Sequence, residues 1–200
     1  MMMPNLDRRS TPIDRSVVLD PAAGPVEACA ASCLARGDSP GAFRDMMALV
    51  PGAVTIIASE HAGVRKGITA TAVCSVSAEP PQLLICVNGK ASVRSTISQS
   101  GVFSVNFLAR HHEVLARKFS EAGLDHDARF AFGDWMGGSL GAPVLADALS
   151  SAVCEVVSES KQATHVLFIG RIAELRLNAA RPLLYHQRAY CDVAPREGVA

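Results

Sequence analysis

The stretch that decides the fold is Gly67-Ile68-Thr69-Ala70-Thr71-Ala72-Val73-Cys74-Ser75-Val76-Ser77, running into Glu79-Pro80-Pro81. Small hydroxyl and alanine side chains alternate along it with the period of a strand. Consecutive prolines then end the run, since neither can continue a central strand. Such a strand packs closely and offers backbone amides and hydroxyls to a flat, polar-edged ligand, as a cofactor cleft requires. The same composition suits a tightly packed barrel strand beside a small-residue face, and the residues alone leave both readings open.

Outward from this stretch, the elements are short and mostly extended. Ser39-Pro40 is a cap followed by a proline at the first helical position. Phe43, Met46, Met47 and Val50 then repeat at helical spacing until Pro51-Gly52. Strands are expected over 53–59, 82–88 and 102–108, with a turn at His61-Ala62-Gly63. A helix is expected over 92–99, ended by Gly101, and a short amphipathic one over 113–119. Residues 120–145, with five glycines and the single tryptophan, lack periodicity. Two long strands, 152–158 and 165–177, and a last pair around Gln187-Arg188 complete the pattern. Strands do not alternate with long helices, so a doubly wound parallel sheet is excluded. The expectation is a mainly β fold with inserted helices, an antiparallel barrel.

Residues 1–38, with four prolines and an Ala-rich patch, are expected to be a loosely ordered tail with one short helix over 27–36. Residues 39–195 form the domain, and 196–200 a C-terminal tail. Nineteen basic and nineteen acidic residues balance to zero, which removes the electrostatic basis for nucleic-acid or polybasic membrane binding. No run of 18 apolar residues is present to span a bilayer. The arginines at 8, 9 and 15 precede no apolar segment of a secretory signal. Cys74, Cys86, Cys154 and Cys191 sit in apolar or strand-like runs as small hydrophobes. Cys29 and Cys33, four apart, lack the ligand number of a structural zinc site. A reduced, cytoplasmic chain without metal is expected.

A Gly-x-Gly-x-x-Gly fingerprint, a Walker-type loop and a His-Glu-x-x-His motif are all absent from the sequence. Gly137-Gly138-Ser139-Leu140-Gly141 matches a hydrolase nucleophile elbow, but Gly133, Asp134 and Pro143 break the strand-turn-helix context that chemistry needs. His111-His112-Glu113 opens a short helix and is expected on its solvated face. His165, after Ala163-Thr164 and before Val166-Leu167-Phe168-Ile169, is either a structural histidine or one aimed into a cleft.

Several separated motifs then fall in a familiar order: Phe43-Arg44-Asp45-Met46-Met47, Val54-Thr55-Ile56-Ile57, the stretch from Gly67 to Ser77, Cys86-Val87-Asn88 and Phe103-Ser104-Val105-Asn106. Arg129-Phe130, Gly141 to Leu145, Thr164-His165 and Leu183 to Tyr190 follow. From about Ser39 to Val193 the chain resembles the flavin reductase family of two-component monooxygenases. Within it, the chain is most similar to the reductase component of 4-hydroxyphenylacetate 3-monooxygenase and the related reductase of pyrimidine degradation. The resemblance implies a split β-barrel homodimer that uses NADH, or in some members NADPH, to reduce free FMN or FAD. It implies delivery of reduced flavin by diffusion to a separate monooxygenase.

By the same resemblance, Thr69, Ala70 and Thr71 lie along the isoalloxazine and Ser75, Val76 and Ser77 hold the ribityl chain. Asn88, Lys90 and Ser92 approach the phosphate, Asn106 lies on the adjoining strand, and His165 positions the nicotinamide. Many members carry Gly-Asp-His where this chain has Ala163-Thr164-His165, and the most similar subgroup has Thr-His. Alternatives are a flavin-retaining reductase of another acceptor, such as a corrin or metal chelate, and a non-catalytic flavin-binding module.

Overall fold

A computed structural model describes residues 39–193. The expected tail helix and the pair Cys29 and Cys33 lie outside the described residues. The strands are β1 (Gly52–Ala53), β2 (Thr55–His61), β3 (Val64–Ala70), β4 (Val73–Ala78), β5 (Pro81–Asn88), β6 (Val102–Phe107), β7 (Trp135–Gly137), β8 (Pro143–Leu145), β9 (Ser150–Gln162), β10 (His165–Leu177), β11 (Leu184–His186) and β12 (Ala189–Cys191). The helices are α1 (Pro40–Ala48), α2 (Ser92–Ser100), α3 (Glu113–Ser120) and α4 (His126–Phe130).

Seven strands form one antiparallel sheet in the order β3-β2-β6-β9-β10-β5-β4. Its two edge strands, β3 and β4, are consecutive in the chain and joined by Thr71-Ala72 alone. In a flat sheet six strand spacings would hold them about 29 Å apart. Two connecting residues reach at most about 11 Å. The sheet therefore rolls until its edges approach, with no ladder joining β3 to β4. It is an open, split barrel. The expected single strand from Gly67 to Ser77 is corrected on this point: it breaks at Thr71-Ala72 because its halves belong to opposite edges.

Rolling gives the sheet an inside and an outside. Ile57, Ile85, Val87, Phe103, Val105, Ala152, Cys154, Val166 and Phe168 meet in one inner core, joined by Ile68, Ala70 and Val73 from the edge strands. α2 adds Val93 and Ile97 to that core and is closed by Gly101, whose φ of 69° lets its N–H donate to the Ile97 carbonyl. Ile56 and Ala58, one residue out of step with Ile57, face outward onto Leu115, Ala116 and Phe119 of α3 and Phe130 of α4. β2 is buried on both faces, so it reads as a continuous apolar run. Gly67 lets α3 lie close, since a Cβ there would stand 2.7 Å from the Phe119 ring. At this position the small-residue stretch is a packing face.

α1 forms over the expected helical spacing, yet none of its residues is buried, and Phe43, Met46 and Met47 of its apolar face are exposed. In the region expected to be irregular, α4, β7 and β8 form, with Trp135 packed against Phe119 and Phe130.

Gly170, in β10, stands at the tightest inner contact: an added Cβ would lie 2.5 Å from the Phe103 ring and 2.6 Å from the Cys154 Cβ. Both neighbours are fully buried and have nowhere to move. Gly170→Val is expected to lower stability by about 3 kcal/mol or more, read as a fall in the urea midpoint.

Candidate functional site

The corner that closes the barrel is also where candidate ligand groups collect. Thr71 accepts from the Val73 N–H at 3.0 Å, and Ala72 accepts from the Cys86 N–H at 3.0 Å, tying the corner to β5. The Thr69 hydroxyl donates to the Ala116 carbonyl of α3 at 2.7 Å, and the Thr55 hydroxyl to the Ala70 carbonyl at 2.7 Å. The end of β3 is thus fixed on both sides. Thr69, Ala70 and Thr71 line a cleft of about 380 Å³ with Arg117, Ser120, Tyr185, Arg188 and Tyr190. Tyr185 and Tyr190 meet edge to face at 5.2 Å, with the Arg117 guanidinium 4.9 Å from the Tyr190 ring centre. A hollow of about 350 Å³ shares Thr71, Tyr185 and Arg188 and continues towards α1. Arg117 is held by Glu113 at 2.7 Å and Arg188 by Asp45 at 2.5 Å.

A second cleft, of about 520 Å³, lies at the C-terminal end of β5. The β5–β10 ladder sets His165 opposite Asn88. The Gly89 N–H donates to the Thr164 carbonyl at 2.9 Å, and Asn88 Oδ1 accepts from the Lys90 N–H at 2.9 Å. The cleft walls include Asn88, Lys90, Lys161, Thr164 and His165. The half-buried His165 ring has its Nδ1 2.9 Å from the Thr164 hydroxyl, which fixes its orientation. Asn88 follows Cys86, the partner of the corner, by two residues along β5. Ser92 opens α2 just beyond and is exposed.

Other expected residues are not brought to these clefts. Ser75 and Val76 are exposed on β4 at its bulge, and the Ser77 hydroxyl accepts from the Glu79 N–H at 3.1 Å. Asn106 is fully buried. Its Nδ2 donates to the Ile56 carbonyl and the Ser104 hydroxyl, and its Oδ1 accepts from the Leu145 N–H and the Ser151 hydroxyl. Those four bonds use the whole capacity of the amide. Asn106 joins β2, β6, β8 and β9 and has no group left over for a ligand. Sequence reasoning missed Arg117, Arg188 and Lys161, which come from remote elements. The spacing Tyr185, Arg188, Tyr190 was the available signal.

A rolled sheet with an unzipped seam, lined by small hydroxyls, tyrosines and cations, defines a binder of flat, anionic, aromatic ligands such as nucleotide cofactors. Residues 47–194 match the flavin reductase like domain family, and the chain belongs to it. The FMN reductase (NADH) RutF of Variovorax paradoxus is 42% identical over 153 residues, covering 76% of this chain and 84% of that protein. RutF of Agrobacterium fabrum is 40% identical over 149 residues, covering 74% and 85%. Among solved structures, flavin reductase PheA2 superposes with a TM-score of 0.71 at 31% identity over 78% of this chain and 99% of that one. The NADH:FAD oxidoreductase SgcE6 of Streptomyces globisporus, solved with NAD and FAD fragments, gives 0.77 at 25% identity over 84% and 100%. The narrower affinity expected for the 4-hydroxyphenylacetate 3-monooxygenase reductase widens accordingly, since these curated relatives are named RutF.

Two motifs outside the seam have structural roles. Ser139 sits on a three-residue turn followed by β8, not a helix, and its N–H donates to Glu174 Oε2 at 2.6 Å. That backbone bond, with Arg176, holds the Glu174 carboxyl below its usual range. His112 corrects the expectation of a solvated face: it is buried, with Nδ1 accepting from the Ala109 N–H at 3.1 Å. Nε2 therefore carries the proton and lies 3.1 Å from Asp147 Oδ1. His111 Nε2 lies 3.1 Å from the other oxygen. These three side chains could converge on a metal, but His112 would have to surrender its Nε2 proton while Nδ1 is already an acceptor. The cluster is a clamp on the loop carrying Asp147, made by the His111 hydrogen bond and the close His112–Asp147 contact.

Burial pushes the His112 pKa down, outweighing the pull of Asp147. Burial raises the Asp147 carboxyl, but the two histidines outweigh it and hold it below the carboxylate range. The native state thus binds fewer protons than the unfolded one, so stability rises with pH. The His112 contribution is complete above its unfolded value of 6.5 and is lost as pH falls towards the folded value. Asp147 adds its loss below 3.8. His126, also shifted down, acts in the same direction and is common to both proteins compared. His112→Ala is expected to cost roughly 2 kcal/mol at pH 8 and to lose less stability than wild type between pH 7 and 5. Urea titrations of both proteins across that range check it.

Proposed function

We propose that the protein is an NADH-dependent flavin reductase that reduces free FMN or FAD and releases it to a separate monooxygenase component. The observation that supports this most strongly is the Thr69–Thr71 corner at the seam, inside a family match covering residues 47–194. The relatives named FMN reductase (NADH) and the oxidoreductase solved with NAD and FAD fragments support the cofactor pair. NADPH as an alternative donor, and the identity of the oxygenase, belong to the same proposal.

The seam residues fit a flavin. Thr71 and Arg188 stand at the junction of two hollows of about 380 and 350 Å³. The flavin supplies the two-electron chemistry, taking hydride at N5 from nicotinamide C4. The chain's part is alignment, because hydride transfer needs the two rings held at roughly 3–3.5 Å. The Thr69 and Thr55 hydroxyl bonds keep the strand end rigid, and backbone groups of the corner supply fixed dipoles. The Thr164 contact orients the His165 ring at the adjoining cleft, where it positions the nicotinamide. Ser75 and Val76, exposed on the open edge, and the half-buried Ser77 remain available to the ribityl chain from outside the cleft.

The catalytic unit proposed is 39–195, with 1–38 outside it. The exposed apolar face of α1 (Phe43, Met46, Met47), together with Val157, Leu175 and Leu177 on the long hairpin, supports a homodimer. Sedimentation equilibrium at micromolar concentration is expected to return twice the chain mass, and a monomer would refute the dimer.

Purified protein is expected to oxidise NADH only on addition of FMN, FAD or riboflavin. Equal turnover of another acceptor without added flavin, by a yellow protein, would favour the flavin-retaining alternative. His165→Ala is expected to lower kcat/KM for NADH by roughly 5- to 150-fold while flavin affinity stays within twofold. Unaltered kinetics would remove His165 from the site.

A further inference from the structure

The turn between β11 and β12 is built at a conformational cost. Tyr185 pairs with Tyr190 and His186 with Ala189, which leaves Gln187-Arg188 as a two-residue connection. Both residues have positive φ, 48° and 62°. A hairpin turn of that kind favours Asn-Gly, because glycine meets no steric penalty there. An arginine in this conformation is strained, and strain of this sort collects at ligand clamps. The turn is also fixed from outside, since the Gln187 N–H donates to the Ala48 carbonyl at the end of α1 at 2.7 Å. Arg188 is thereby set where the two seam hollows meet, and it shares their walls with Thr71 and Tyr185.

The two guanidinium groups of the Thr69–Thr71 cleft differ in how they are committed. Arg117 gives both Nε and Nη2 to Glu113 and lies over the Tyr190 ring. Arg188 pairs with Asp45 through Nη2 at 2.5 Å, and the two side chains are 63% and 70% exposed. A pair so open to water is worth little and exchanges readily. Asp45 lines neither hollow, and no other carboxylate lines them. Arg188 thus borders hollows without an acid, while its counter-ion stands outside them on α1.

A flavin ring changes charge in the reaction. The oxidised ring is neutral, and a hydride brings it two electrons and one proton at N5, so the reduced ring is an anion. The nicotinamide departs as the matching cation. The negative charge is shared by N1 and the C2 carbonyl oxygen, adjacent acceptors that suit the planar fork of an arginine.

We propose that Arg188 determines specificity for the redox state of the flavin: its guanidinium exchanges Asp45 for the anionic reduced ring, and Asp45 recaptures it as the product leaves. The inference rests on the flavin reductase reading.

Full-length wild type, Arg188→Gly, Arg188→Lys and Asp45→Asn are titrated with riboflavin, oxidised in air and reduced under anaerobic conditions. Riboflavin carries no phosphate, so the ring is the only group whose charge changes. Arg188→Gly is expected to weaken binding of the reduced form about 5- to 20-fold and to hold the oxidised form within about twofold. The potential of bound riboflavin then falls by about 20 to 40 mV, since tenfold is about 30 mV for a two-electron couple. The urea midpoint of Arg188→Gly is expected to equal or exceed that of wild type, because glycine relieves the turn. Arg188→Lys restores most of the reduced-form affinity, and Asp45→Asn tightens the reduced form by about threefold. Equal weakening of both forms in Arg188→Gly, or none, overturns the proposal. If Arg188→Gly fails to fold, Asp45→Asn decides, and an unaltered ratio of the two affinities overturns it. A wild type that binds neither form overturns the reductase reading, and this inference with it.

Discussion

The structure depends on one short connection. Thr71-Ala72 joins the two edge strands of a seven-stranded sheet, and two residues cannot cross the width of a flat one. The sheet must roll. Its inward side chains then converge on one core, to which all seven strands contribute. Its edges come together without pairing, which leaves backbone donors and acceptors along a slot instead of a closed ladder. A fully hydrogen-bonded barrel would have consumed those groups. The seam is therefore both a topological necessity and a place where a polar ligand meets backbone.

The outer layer follows from the same roll. With Ile57 turned inward, Ile56 and Ala58 must face out, and water would meet them unless something covered them. α3 does so, and Gly67 and Thr69 set its distance, one by lacking a side chain and the other by donating to the Ala116 carbonyl. Arg117 projects from that helix, so the contact that buries Phe119 also delivers a guanidinium to the Thr69–Thr71 cleft. Packing and site geometry share the same residues here. A loss of packing at Gly67 would displace the cation together with the helix.

The local elements were legible because their signals are local: Ser39-Pro40 and Gly101 bound helices, and Pro80-Pro81 separates strands. The break at Thr71-Ala72 was not, since both halves of the stretch have strand composition and only the closure of the whole sheet divides them. His112 was misjudged for a related reason. Three polar residues in a row suggest a solvated face, yet the partner that lets His112 be buried, Asp147, lies far along the chain on a different loop. Asn106 shows the opposite case: a polar residue in a family motif whose four bonds run to Ser104 on its own strand and to β2, β8 and β9. Thr69 to Thr71, Asn88, Lys90 and His165 could be named through the family resemblance. Arg117, Arg188 and Lys161 could not, because what unites them with the site is the roll itself.

The form of the seam also bears on what a ligand there can do. Thr71, Asn88 and Lys90 are exposed, and the clefts are hollows at the surface, not chambers in the core. A ligand held by surface hydroxyls, backbone dipoles and solvent-screened cations gains less than one buried among desolvated partners. That is the energetic regime for a substrate that must leave after reaction, and it disfavours a permanently bound prosthetic group. In the interior, the buried polar side chains Asn106, Ser104 and Ser151 bond to one another and to backbone. Cys154, whose thiol burial drives up to about 12, stays protonated and unreactive. The polar groups suited to a ligand thus lie in surface hollows, one at the seam and one at the β9–β10 hairpin beside the end of β5.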